Sequence, residues 1–122
     1  MNSDTADGLL LARNLDDVFN EPDSDRRMQA IRALYAEDAV FYEGDDKFEG
    51  WAAIAKRFDD ILAPTPPEFR FSVVNTPGRI RNLEQLQWQL GPVQGTSVAS
   101  GLDVAHVSEG KIQSLYTFVE PS

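Results

Sequence analysis

The stretch FRFSVVNTPGRIRNLEQLQWQLGPVQGTSVASGLDVAHVSEGKIQSLYTFV, residues 69–119, decides the fold. Its runs FRFSVV, LEQLQWQL, SVASGLDVAHV and KIQSLYTFV are dense in β-branched and aromatic residues, and Pro77-Gly78, Gly91-Pro92 and Glu109-Gly110 separate them. Four sequential strands joined by short turns read as an antiparallel meander. Leu86, Trp88 and Leu90 alternate with Gln85, Gln87 and Gln89, so this strand has one buried and one wetter face. One side of the sheet must therefore be covered by other elements.

The cover lies upstream. Leu11, Leu15, Val18 and Phe19 recur at helical spacing until Pro22 interrupts them. Asp23, Ser24 and Asp25 are N-cap candidates for a second stripe, Met28, Ile31, Leu34 and Tyr35, which predicts a helix to about Ala36. AVFYE at 39–43 reads as a short strand and EGDDKFEG at 43–50 as its hairpin-like return. From Trp51 the pattern is helical again, with Ile54, Phe58, Ile61 and Leu62 on one face, until Pro64, Pro66 and Pro67 stop it. The expected fold is α+β: three N-terminal helices packed on a strongly curved, mostly antiparallel sheet that encloses a pocket, in one domain spanning residues 1–122.

A chain of 122 residues suits a single core. The absence of cysteine excludes disulfides, thiolate nucleophiles and cysteine-ligated zinc. MNSDTADGLLLAR carries no basic leader, and no stretch approaches the roughly 20 apolar residues of a membrane helix, so the expectation is a soluble, cytoplasmic protein. Twenty acidic against 11 basic residues give a net charge of −9, which repels phosphate backbones and anionic bilayers. Neither nucleic acid nor a membrane is expected as a partner. Arg26, Arg27 and Arg32, and likewise Arg79 and Arg81, read as solvated faces. There is no GxGxxG, Walker A, HExxH or GxSxG motif, which disfavours nucleotide use and serine hydrolysis.

Two side chains stand out for chemistry. Glu43 ends the strand containing Val40 and Phe41. Pointing inward, its carboxylate would lose hydration and suit proton abstraction beside a carbonyl; pointing outward, it belongs to an acidic turn. His106 is the sole histidine, and strand alternation sets it with Leu102 and Val104 on the apolar face, opposite Asp103. There it is either a satisfied core residue or a group that donates, accepts or exchanges a proton. One histidine without cysteine disfavours a metal site. Asp103 reads as a sheet-surface or dimer contact.

The element order and two segments, RALYAEDAVFYEGDDKFEGWAAIAKRF (32–58) and SGLDVAHVSEGKIQSLYTFVEP (100–121), resemble the nuclear transport factor 2-like superfamily, in its SnoaL-like and ketosteroid isomerase branches. That resemblance implies a cone-shaped, cystatin-like fold and three catalytic positions. Glu43 falls at the isomerase base, His106 at the acid on the penultimate strand, and Asn14 at the tyrosine of the first helix. The last two depart from the isomerase pattern, whose oxyanion hole uses a protonated carboxylic acid and a phenol. The implied pocket is lined by Phe41, Phe58 and Trp88, by Leu102 and Val104, and by Leu115, Thr117 and Val119 of the last strand. The Asp-Arg-Asp arrangement of the superfamily's epoxide hydrolases has no matching positions.

The resulting expectation is a cofactor-free isomerase, cyclase or dehydratase that moves a proton on a small hydrophobic carbonyl compound. A noncatalytic ligand-binding or dimeric interaction domain is the alternative. A homodimer is expected through the outer face of the sheet, where alternation places Tyr116 and Phe118.

Overall fold

The computed structural model describes residues 9–121. Residues 1–8, part of the segment in which a basic leader was sought, and Ser122 lie outside the described residues. Helix α1 (Leu10–Arg13) runs directly into a π-helical segment (Asn14–Phe19) and is followed by α2 (Ser24–Leu34). Strands β1 (Tyr35–Glu43) and β2 (Asp46–Glu49) precede α3 (Trp51–Leu62). Then come β3 (Phe69–Ile80), β4 (Leu83–Pro92), β5 (Ala99–Ser108) and β6 (Lys111–Pro121). The six strands form one open sheet in the order β2-β1-β6-β5-β4-β3. Every neighbouring pair is antiparallel except β1 and β6, which run parallel.

The three predicted helices cover one face of this sheet, as the apolar stripes require. Helix α1 has no side-chain cap of its own. A carboxylate from the sheet replaces it: Glu84 on β4, 1% exposed, accepts hydrogen bonds from the Leu10 N–H at 3.2 Å and the Leu11 N–H at 2.9 Å. Its negative charge also meets the positive end of the helix dipole. This contact holds the first helix down on the concave side of β4. Among the described residues, no helix is long and apolar enough to cross a membrane.

Two boundaries differ from the sequence expectation. The second helix ends at Leu34, and Tyr35 is already extended, at φ −105° and ψ 143°. Tyr35 pairs with Ile112 of β6, while its carbonyl accepts the Trp51 indole N–H at 2.9 Å, so tertiary partners take over the residue that local pattern assigns to the helix. The Pro77-Gly78 pair does not make the first hairpin turn. It lies within β3, where the pairing shifts register between Val74 and Gly78 and Asn75 takes φ 63°. This bulge accommodates a proline that cannot donate to the ladder. The turn comes later, at Arg81 and Asn82, with Arg81 at φ 57°.

Between helices and sheet lies a core of Leu11, Leu15, Val18, Ile31, Leu34, Ile54, Phe58, Leu86 and Leu115. Aromatic rings run through it in sequence. Phe58 touches Tyr35, Phe41 and Phe19, with centroids 6.2, 5.0 and 4.6 Å away. Phe19 then meets Phe71 at 5.3 Å, and Phe71 meets Trp88 at 5.5 Å.

Candidate functional site

The concave face is read from strand register. Glu43 on β1 pairs with Thr117 on β6, Thr117 with Asp103 on β5, and Asp103 with Leu86 on β4. These four residues form one row across the sheet. At a strand spacing of about 4.8 Å, the Glu43 and Asp103 backbones stand about 10 Å apart. One row nearer the strand termini lie Val73, Trp88, Gly101 and Val119.

Asp103 is the polar centre of this face, at 5% exposure. Its Oδ1 accepts hydrogen bonds from the Trp88 indole N–H at 3.0 Å and from the Thr117 hydroxyl. Oδ2 accepts none from the described residues. Burial pushes the Asp103 carboxyl up to about 6, with the bonds from Thr117 and Trp88 opposing the rise. An acid in that range exchanges protons near physiological pH.

Tyr35 and Asn14 form a second buried polar pair. The phenol donates to Asn14 Oδ1 at 2.8 Å, and both residues have 0% exposure. Burial first, and the charge of Asp103 second, hold the phenol well above its ordinary value, while the bond to Asn14 opposes them. Asn14 Nδ2 is buried without a hydrogen-bond partner among the described residues, leaving a donor free for an oxygen acceptor. Asn14 opens the π-helical segment, which closes at its C-terminal end with an i to i+5 bond from the Asn20 N–H to the Leu15 carbonyl at 3.0 Å. Such segments often mark functional positions in helices.

At the rim, Glu43 is held by Arg57 of α3. The guanidinium donates Nε–H to Oε1 at 2.7 Å and Nη2–H to Oε2 at 3.1 Å, and the bond to Glu43 is the first cause of the raised Arg57 value. Arg57 also lies over the Phe48 ring at 5.8 Å.

The predicted residues divide by face. Asn14, Phe41, Phe58, Trp88 and Leu115 are buried on the concave side, with Glu43 and Thr117 in the Asp103 row. Val119 shares this side but is 54% exposed near the open end of the strands. Three expectations are corrected. His106, Leu102 and Val104 point to the outer face, opposite Asp103. His106 pairs with Leu83 and Ser114, and its Nε2 lies 2.8 Å from Asn82 Nδ2 at the surface. The proposed partnership of Glu43 and His106 in one cavity therefore does not exist. Asp103, read as a surface contact, is the buried acid.

The cause is an inverted hydrophobic pattern on β5. Gly101, Asp103 and Ala105 face the helices and are buried, whereas the bulkier Leu102 and Val104 lie beside Phe118 and Tyr116 on the outer face. Crowding under a bent sheet selects small residues inside. The usable signal was Gly101: a Cβ there would sit 2.3 Å from the Trp88 ring. Arg57 was missed because nothing at i, i+4 on α3 pointed to a partner 14 residues away.

The surface of the described residues includes two cavities. One of about 520 Å³ is lined by Phe19, Arg27, Asp59, Leu62, Phe69 and Arg70 among others, and one of about 240 Å³ lies beneath Gly91–Ser97. Neither is bordered by Asp103, Asn14, Tyr35 or Glu43.

Similar structures share this architecture. A protein from Agrobacterium tumefaciens, described as an isomerase of the SnoaL-like family, is 27% identical, with a TM-score of 0.82 over 91% of this chain and 94% of its own. One from Jannaschia, described as a SnoaL-like polyketide cyclase, is 14% identical, with a TM-score of 0.74 over 98% and 89%. One from Kribbella flavida, described as a ketosteroid isomerase, is 14% identical, with a TM-score of 0.66 over 93% and 76%. No curated protein matches the chain at a significant level. Residues 12–115 match the SnoaL-like domain, and the chain belongs to that family.

Proposed function

We propose that this protein is a cofactor-free acid–base catalyst of the isomerase, cyclase or dehydratase kind, acting on a small apolar carbonyl compound. The observation that carries the reading is the buried Asp103 carboxyl, raised to about 6, with one oxygen held by Trp88 and Thr117 and the other without a partner among the described residues. Protonated, it donates from Oδ2 to the substrate carbonyl oxygen as negative charge develops there. Glu43, about 10 Å away along the same row, takes the carbon-bound proton. To do so it releases one of the two Arg57 bonds. The Asn14 amide N–H is a second donor for the oxygen. His106 has no role in this scheme.

The test is a screen of small cyclic ketones and aromatic polyketide-like compounds for turnover, followed by the pH dependence of kcat. Activity should need Asp103 protonated and so decline as pH rises through about 6. A rate flat from pH 5 to 8 would remove Asp103 as the acid; binding of these compounds without turnover would favour the noncatalytic alternative, for which the groove of about 520 Å³ offers a separate ligand site.

Homodimerisation through the outer face, and a cytoplasmic setting, belong to the same proposal. Support for the dimer comes from charge. On this face Val40, Tyr42, Leu83, Gln85, Gln87 and Gln89 accompany Leu102, Val104, His106, Ser114, Tyr116 and Phe118. None of these is an Asp, Glu, Lys or Arg, although the whole chain carries −9; the charged residues of the same face, Lys47 and Glu49 on β2, Arg70 on β3 and Glu120 near the end of β6, lie at its edges. Two acidic copies meet at least cost where neither presents a charge. Sedimentation at high micromolar concentration should show a dimer, and Phe118→Lys should return it to monomer; a wild-type monomer would end this part of the reading.

A further inference from the structure

Oδ1 of Asp103 is closed off, and the group that closes it is identifiable. In the row beyond it, Val73 and Val119 are 43% and 54% exposed, and Gly101 has no side chain. Trp88 is the large group left between Asp103 and the open end of the strands. Its indole lies flat across Gly101, where an added Cβ would meet Cζ2 at 2.3 Å and Cε2 at 2.7 Å. Glycine is required here to let the ring approach the backbone so closely. The ring is held at one edge by Phe71, 5.5 Å away, and at the other by its N–H on Asp103 Oδ1.

We infer that Trp88 is a self-occluding gate: its indole occupies the place of a guest's ring and must swing from the Gly101 slot before such a ring can lie against Asp103 Oδ1. The inference rests on the reading of Asp103 as the working acid. Opening breaks one hydrogen bond and one edge contact and exposes an indole that is 8% exposed in place, but it leaves the backbone ladder intact, so it is less demanding than unfolding. The vacated space has the shape of a flat bicyclic ring, with Phe71 at its edge and a carboxyl oxygen that has lost one of its two donors and keeps Thr117. A guest of matching chemistry is a planar ring system carrying one hydroxyl or N–H donor. Apparent affinity for such a guest is lowered by the fraction of molecules with the indole in place.

Hydrogen exchange separates gating from unfolding without any ligand. The Trp88 indole N–H should exchange about 100-fold faster than the backbone amides of Ile112 and Leu115, which lie in the core. Low urea should accelerate the amides and leave the indole rate unchanged. Equal rates with equal urea dependence would mean that Trp88 moves only when the protein unfolds, and the gate would be refuted. A second arm uses 2-naphthol as the probe. Trp88→Ala should bind it at least about tenfold more tightly than wild type, because occlusion is removed; no gain would also overturn the proposal. Either failure leaves the pH dependence of turnover, and hence the role of Asp103, standing on its own test.

Discussion

Asp103→Asn should lower turnover by about 10² to 10⁴ and, at the same time, make the fold more stable above pH 6. The first effect follows from loss of the only proton that Oδ2 can give. Asparagine keeps an oxygen for the bonds from Trp88 and Thr117, so the geometry of the site survives and binding should change little. The second effect follows from linkage. Burial raises the folded-state value from 3.8 to about 6, so the folded protein favours the protonated acid. Below the unfolded value, near pH 4, both states hold the proton and no penalty exists. Between pH 4 and 6 the penalty grows, because folding must either retain a proton that the unfolded chain releases or bury a charge. Above pH 6 it is fully developed, and two units correspond to about 3 kcal/mol. The asparagine protein carries no such penalty. Urea unfolding at pH 8 should show it more stable than wild type by up to about 3 kcal/mol, with the difference vanishing at pH 4. A variant equally stable at both pH values would show that the Asp103 carboxyl is not raised.

Phe58→Ala should produce the largest loss of stability, about 3–5 kcal/mol. Its ring has 0% exposure and is shared by Phe19, Tyr35 and Phe41, from the π segment and the first strand. Removing it leaves a cavity where three elements meet, and these cannot all collapse inward because β1 is fixed by its ladders to β2 and β6. A loss of that size is a large part of the 5–15 kcal/mol that holds a typical domain together. Tyr35 would lose its edge contact, so the Asn14–Tyr35 bond should loosen with it. Ile80→Ala is the control: at 79% exposure it should change stability by less than about 0.5 kcal/mol. Denaturant midpoints of the two variants provide the comparison. The result also decides between two views of Phe58, as a lining group that ligand could replace or as the pivot of the core.

Local pattern was enough for the architecture. The stripes at Leu11 to Phe19, Met28 to Leu34 and Ile54 to Leu62 each bury one helix face, and the alternation of Leu86 and Trp88 with glutamines put the right side of β4 inward. These periods are properties of the chain itself, because a residue's direction on a helix or strand follows from its place in the repeat. Pro64, Pro66 and Pro67 end α3 for an equally local reason. Glu43 was legible at the end of a strand of apolar residues, and Asn14 only through the family resemblance.

What surrounds those residues was decided by the tertiary structure. On β5, alternation offers two faces and apolarity chose the wrong one, because Leu102 and Val104 with Phe118 and Tyr116 make an apolar stretch on the outer side and the inner side is too crowded for large residues. The ladders to β4 and β6, together with the packing of Trp88 over Gly101, show that Asp103 turns inward and His106 outward. Tyr35 becomes a strand residue through pairing with a segment 77 positions away, Asn14 meets its phenol across 21 positions, and Arg57 finds Glu43 across 14. The raised pKa of Asp103 likewise belongs to no local stretch. It arises from desolvation by neighbours gathered from several elements, and burial of that kind comes into being only when the sheet bends and the helices close over it.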